Sequence, residues 1–139
     1  ALAAALARLR GAGAGVEEID VPEFAELVAI NAKGGFPAAE AWHWHRTHIE
    51  RDADLYDPRV ISRIRRGAAM TAADYIDVLQ ARTRWIKAVE RCMRGYDALV
   101  MPTVPVVAPR IADLADEAEY GRVNLLMLRN PTLINVLDG

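Results

Sequence analysis

Of the side chains that most often do chemistry this sequence holds few: one cysteine (Cys92), one serine (Ser62) and two lysines (Lys33 and Lys87). A lone thiol cannot close an internal disulfide, and such sparing use of cysteine fits a reducing, cytoplasmic setting. No apolar run approaches the ~18 residues of a membrane-crossing helix. The apolar opening, Ala1 to Ala7, has Arg8 and Arg10 behind it rather than a basic cluster in front, the reverse of a secretory leader, so it is expected to stay in the protein. With a net charge of -2 and a pI near 5.9, the chain offers no broad basic footprint for nucleic acid and no polybasic membrane patch. It also lacks an initiator methionine and stops just after an apolar stretch, so it is expected to be a piece of a longer chain. What is present, 139 residues that are 53% hydrophobic and 26% charged, matches about one globular domain.

The stretch from Tyr96 to Pro109 organises the reading. Ala98 to Met101 is a short apolar run without polar alternation, which suits a strand covered on both faces. Pro102, Pro105 and Pro109 then remove amide donors and fix φ, so a stiff extended loop should leave the strand. Earlier in the chain, Leu2 to Leu9 reads as a helix stopped by Gly11, Gly13 and Gly15. Val16, Ile19 and Val21 read as a short strand closed by Pro22, and Phe24 to about Ala32 as a short helix.

Asp57-Pro58 is a helix start, followed by a buried stripe of Val60, Ile61 and Ile64 and a last turn whose arginines offset the helix dipole. Thr71 with Asp74 is a capping pattern for the longest helix, whose apolar positions are Tyr75, Val78, Leu79, Ile86, Val89 and Met93. Ile111 to Glu119 reads as an acidic surface segment. Val123 to Leu128 reads as helix, with a kink or restart expected at Pro131 and Asn135 standing as a polar group in an apolar run. Cys92 is expected to fill a small space in the core.

The helix from Pro37 to about Leu55 carries Trp42-His-Trp-His-Arg-Thr-His48. His45 and His48 are spaced i,i+3, and Asp52 follows His48 at i,i+4, so one face could offer two imidazoles and a carboxylate to a metal. The competing reading is a boundary helix whose tryptophans pack and whose histidines sit at the edge. No HExxH pattern accompanies the three residues.

Taken in order, Gly15-Val-Glu-Glu-Ile-Asp-Val-Pro22, Tyr56-Asp-Pro-Arg-Val-Ile-Ser-Arg-Ile-Arg-Arg-Gly67, the Ala73-Asp-Tyr75 helix, Tyr96-Asp-Ala-Leu-Val-Met-Pro-Thr103 with Ala108-Pro109, and Arg129-Asn-Pro-Thr-Leu-Ile-Asn-Val-Leu-Asp-Gly139 resemble the C-terminal part of the amidase signature family. The resemblance runs along essentially the whole chain. It implies an α/β class: residues 1-139 as a single incomplete domain, the C-terminal part of an α/β/α sandwich around a mixed sheet, mostly helical here with short strands near 16–21 and 97–101.

The activity it implies is hydrolysis of carboxylic amides through an acyl-enzyme, with release of ammonia. An activated hydroxyl attacks, a base relays the proton and backbone amides hold the oxyanion. The family's set is two serines and a lysine. Ser62 is alone on a basic helix, and Lys33 and Lys87 lack the family's context, so the catalytic residues are expected upstream and this piece alone is expected to be inactive. Carried onto matching positions, the resemblance implies that Leu128, Thr132 and Thr103 line the acyl side of the substrate pocket, with core packing the competing reading for each. The Trp42 to His48 helix would be a variable wall or lid. No cofactor is implied. The partners are a small-molecule amide and the remainder of the domain, with a homodimer allowed and neither nucleic acid nor membrane expected. A glutamine-hydrolysing subunit of a tRNA-dependent amidotransferase is the alternative enzyme, and a non-enzymatic helical module using His45, His48 and Asp52 the alternative of another class.

Overall fold

The computed structural model describes residues 2–138, and among them the regular elements are all helical. They are α1 (Leu2–Gly11), α2 (Glu26–Ile30), α3 (Gly35–Asp52), α4 (Pro58–Arg66), α5 (Ala72–Cys92) and α6 (Glu117–Leu137), joined by irregular segments and short 3-10 turns. The expected α/β class, with strands near 16–21 and 97–101, is therefore corrected: both segments are irregular and there is no sheet among the described residues. A strand holds its shape only when a neighbour's backbone completes its ladder. Among the described residues neither segment has such a neighbour; a side-chain bond, Tyr96 Oη donating to Glu17 Oε2 at 2.9 Å, links the first segment to the residue just before the second. The chain divides into two compact units, Pro22–Cys92 and Ala1–Val21 with Met93–Gly139.

Within Pro22–Cys92, local signals and burial agree. Asp57 caps α4 by accepting from the amides of Arg59 (2.8 Å) and Val60 (3.3 Å), and Pro58 supplies the preset first turn. Ile61 and Ile64 of α4 bury against Ile49 of α3, with Trp42, Ala41, Ala53 and Tyr56 packed around them. Each such side chain stabilises by roughly 1.5–3 kcal/mol. Val60, expected in the stripe, is instead 46% exposed, because only Ile61 and Ile64 fall on the face that meets α3.

Gly67 lies where α4 approaches α3: an added Cβ would run into the carbonyl of Ala38 and come within 2.7 Å of Trp42 Cβ. Thr71 and Asp74 form a capping box on α5. The Thr71 amide and hydroxyl donate to Asp74 Oδ2 (2.9 and 2.7 Å), and the Asp74 amide donates back to Thr71 Oγ1 (3.1 Å). Lys33 adds an ion pair with Asp74. Val78, Trp85 and Val89 are the buried stripe of α5. Trp85, absent from the stripe expected from sequence, is 1% exposed, stands 6.3 Å from the Phe24 ring and donates Nε1–H to the Glu23 carbonyl at 2.6 Å.

The other unit is built around α6 and the proline-bearing loop. Asp116 caps α6 by accepting from the Glu119 amide at 2.8 Å, so the acidic segment expected at the surface is in part a 3-10 turn (Ile111–Leu114) and the first turn of α6. The helix then passes through Pro131 without the expected restart. Proline deletes one bond of the helical ladder, and the turns on either side carry the helix across it. Asn135, the polar group in the apolar run, is exposed, and the buried asparagine is Asn130.

Candidate functional site

Leu128 and Thr132 lie one turn apart on one face of α6, Leu128 being 48% exposed and Thr132 half-buried. Asn130, two residues from each, falls on the other side of the helix, because two steps of about 100° carry a side chain most of the way round. From there its Nδ2 donates to the Pro102 carbonyl at 2.8 Å, and its Oδ1 accepts from Arg129 Nε at 3.2 Å. The exposed Thr103 follows Pro102, so the loop that carries it is tied to α6 at the neighbouring residue. A buried asparagine immediately before a proline gives no pattern that would have singled out Asn130.

Among the described residues no acyl-transfer set assembles from the reactive side chains. The Ser62 hydroxyl is exposed and donates to the Arg59 carbonyl at 3.0 Å, a back-bond within its own helix. Lys33 is held by Asp74. The Cys92 thiol donates to the Glu23 carboxylate, 3.1 Å from each oxygen, a bond that raises the thiol pKa above its usual value and lowers that of Glu23. A thiol held protonated in this way is a poor nucleophile.

The histidine helix does not bring its three candidates together. His45 Nδ1 is 2.8 Å from Tyr56 Oη, with the rings edge-on at 5.6 Å. His48 Nδ1 faces Arg51 Nη2 at 3.3 Å, and Asp52 pairs with Arg51 at 3.9 Å. Among the described residues no three histidine, cysteine or acidic side chains form a group that could hold a metal. On another face of this helix, Ala39, Glu40, His43 and Trp44 line an open cleft of about 500 Å³ with Tyr75 of α5. Tyr75 Oη donates to Glu40 Oε1 at 3.0 Å, and the Phe36 ring meets Tyr75 edge-on at 5.7 Å. The bond to Glu40 raises the Tyr75 pKa. Sequence spacing had picked His45 and His48, whereas the side chains that meet α5 across open space are His43 and Trp44.

The chain matches the family described as Amidase over residues 1–137. It belongs to the amidase family. Among curated proteins it is similar to a 2-amino-5-chloromuconic acid deaminase of Comamonas testosteroni (29% identical, covering 98% of this chain and 29% of that protein). It is also similar to an amidase of Pseudomonas putida (30% identical, 92% and 27%). A third relative is a glutamyl-tRNA(Gln) amidotransferase subunit of Symbiobacterium thermophilum (29% identical, 81% and 28%). The chain thus spans less than a third of the length of these relatives. No solved structure matches it. Among the described residues no helix is long and apolar enough to cross a membrane.

Proposed function

We propose that this chain is the C-terminal portion of a single amidase domain in a longer, cytoplasmic enzyme that hydrolyses small carboxylic amides through an acyl-enzyme and releases ammonia. It supplies structural core and one wall of the substrate pocket, formed by Leu128 and Thr132 with Thr103 on the adjoining loop, and the serines and lysine of the catalytic set lie upstream. The observation that carries this reading is the family match across residues 1–137. The sole serine, occupied in a bond within its own helix, supports placing the catalysis elsewhere.

The test is ammonia release from a panel of aliphatic and aromatic amides, measured on the isolated chain and on the full-length protein of the same reading frame. Activity is expected only in the full-length protein. Activity in the isolated chain that survives Ser62→Ala would overturn the reading. The similarity to an amidotransferase component favours a second reading, a glutamine-hydrolysing subunit that docks onto a tRNA-binding partner. Glutamine as the preferred ammonia donor, with co-purification of such a partner, would select it.

A further inference from the structure

We propose that Asn130 is a positioning residue for the substrate pocket: its carboxamide clamps the proline-bearing loop to α6 and thereby sets where Thr103 stands relative to the wall of Leu128 and Thr132. The inference deepens the proposed function and rests on that assignment of the wall. Asn130 is 6% exposed and is the buried polar residue among those described. Its orientation is fixed by its two partners. Arg129 Nε has only protons to give, so Oδ1 must face it, which leaves Nδ2 to meet the Pro102 carbonyl. The opposite orientation would set two oxygens against each other at Pro102 and two donors against each other at Arg129.

Pro102, Pro105 and Pro109 have no amide to give, so the loop has fewer donors with which to tie itself down. The donor from α6 holds it at the residue next to Thr103. A pocket wall held less firmly binds substrate less well, a loss of binding that raises KM and leaves kcat nearly unchanged.

The experiment compares Asn130→Asp, Asn130→Leu and Asn130→Gln in the full-length protein, with the exposed Asn135→Asp as control. Two readouts are taken: amidase kinetics, and the rate of tryptic cleavage after Arg110, which ends the loop. The Asp and Leu variants have no donor for Pro102. Each should raise KM roughly tenfold with kcat within about twofold, the pattern of lost binding rather than lost chemistry, and cleavage after Arg110 should quicken by a similar factor. The Gln variant keeps a donating amide and should recover most of both effects. Unchanged cleavage in the Asp and Leu variants would overturn the clamp. A Gln variant as impaired as the Asp variant would also overturn it, since Asn130 would then act only through its fit in the core. If the wild-type protein releases no ammonia from any amide, the functional reading fails, while the cleavage rates still decide whether Asn130 holds the loop.

Discussion

The two units solve the problem of burial differently. Of the ten buried hydrophobic side chains among the described residues, eight lie in Pro22–Cys92, whereas Ala1–Val21 with Met93–Gly139 holds only Val21 and Leu133. That second unit leaves Val107 and Ile111 about nine-tenths exposed, and α1 buries none of its residues. One unit is held by apolar contact between helices. The other relies on polar ties, a side-chain bond between Tyr96 and Glu17 and a buried amide at Asn130. All three tryptophans, Trp42, Trp44 and Trp85, belong to Pro22–Cys92, so tryptophan fluorescence reports on that unit alone.

Truncation at the best-buried position should separate the units most sharply. Trp85→Ala removes a fully enclosed indole and the bond it donates to Glu23. It is expected to cost about 3–5 kcal/mol, read from urea denaturation followed by the fluorescence of Trp42 and Trp44. Ile111→Ala, at a position 91% exposed, should stay within about 0.5 kcal/mol by circular dichroism. Comparable losses at the two sites would show that exposure in the isolated chain misjudges where its stability resides.

A smaller loss, of about 1–3 kcal/mol, is expected for Gly67→Ala. The backbone at Gly67 has an ordinary helical φ of -65°, so the cost is not conformational. It comes from contact, since the new methyl group would press on the carbonyl of Ala38, and backbone yields less readily than a side-chain tip. The same fluorescence titration checks it, and a midpoint at or above the wild-type value would mean that α3 and α4 are not seated against each other as described.

Asp74 gives the same unit a signature in acid. Its pKa is held well below the ordinary carboxylate value by the Lys33 ammonium and by the Thr71 amide and hydroxyl. A carboxylate depressed in the folded state stabilises above its unfolded pKa of about 3.9, and that contribution fades as pH falls through the folded value. Fluorescence-detected stability should therefore drop below about pH 4–5. In Asp74→Asn this part of the acid limb should be flatter and stability at neutral pH lower. An acid limb identical in the two proteins would assign the pH dependence to other carboxylates.

What could be read from sequence divides along the same line. The Asp57 cap, the Thr71–Asp74 box and the α4 stripe at Ile61 and Ile64 were legible because each is decided within one or two helical turns. Trp85 escaped attention because its partners, Phe24 and the Glu23 carbonyl, come from about 60 residues earlier in the chain. The segments 16–21 and 97–101 have strand-like composition, but a strand is a property of a pair, and the described residues supply no second member. At Pro131 the restart does not occur, because a helix can lose one bond and continue. Leu128, Thr132 and Thr103 came from resemblance alone. No spacing rule would have found Asn130, whose partner Pro102 lies 28 residues away.

The smallest effect tests the comparison from the weaker side. Gly121 lies early in α6, and an added Cβ there meets nothing within 4 Å. Alanine at a helical position stabilises by roughly 0.5–1 kcal/mol relative to glycine, because it restricts the unfolded chain and leaves less backbone open to water. In Gly121→Ala, amide exchange along α6 should therefore slow severalfold. Because the tryptophans report only on Pro22–Cys92, the fluorescence midpoint should stay where it is if that unit unfolds on its own account. A midpoint that rises in step with α6 protection would mean that burial in one region and polar ties in the other serve one cooperative transition, and the contrast between them would then describe composition rather than stability.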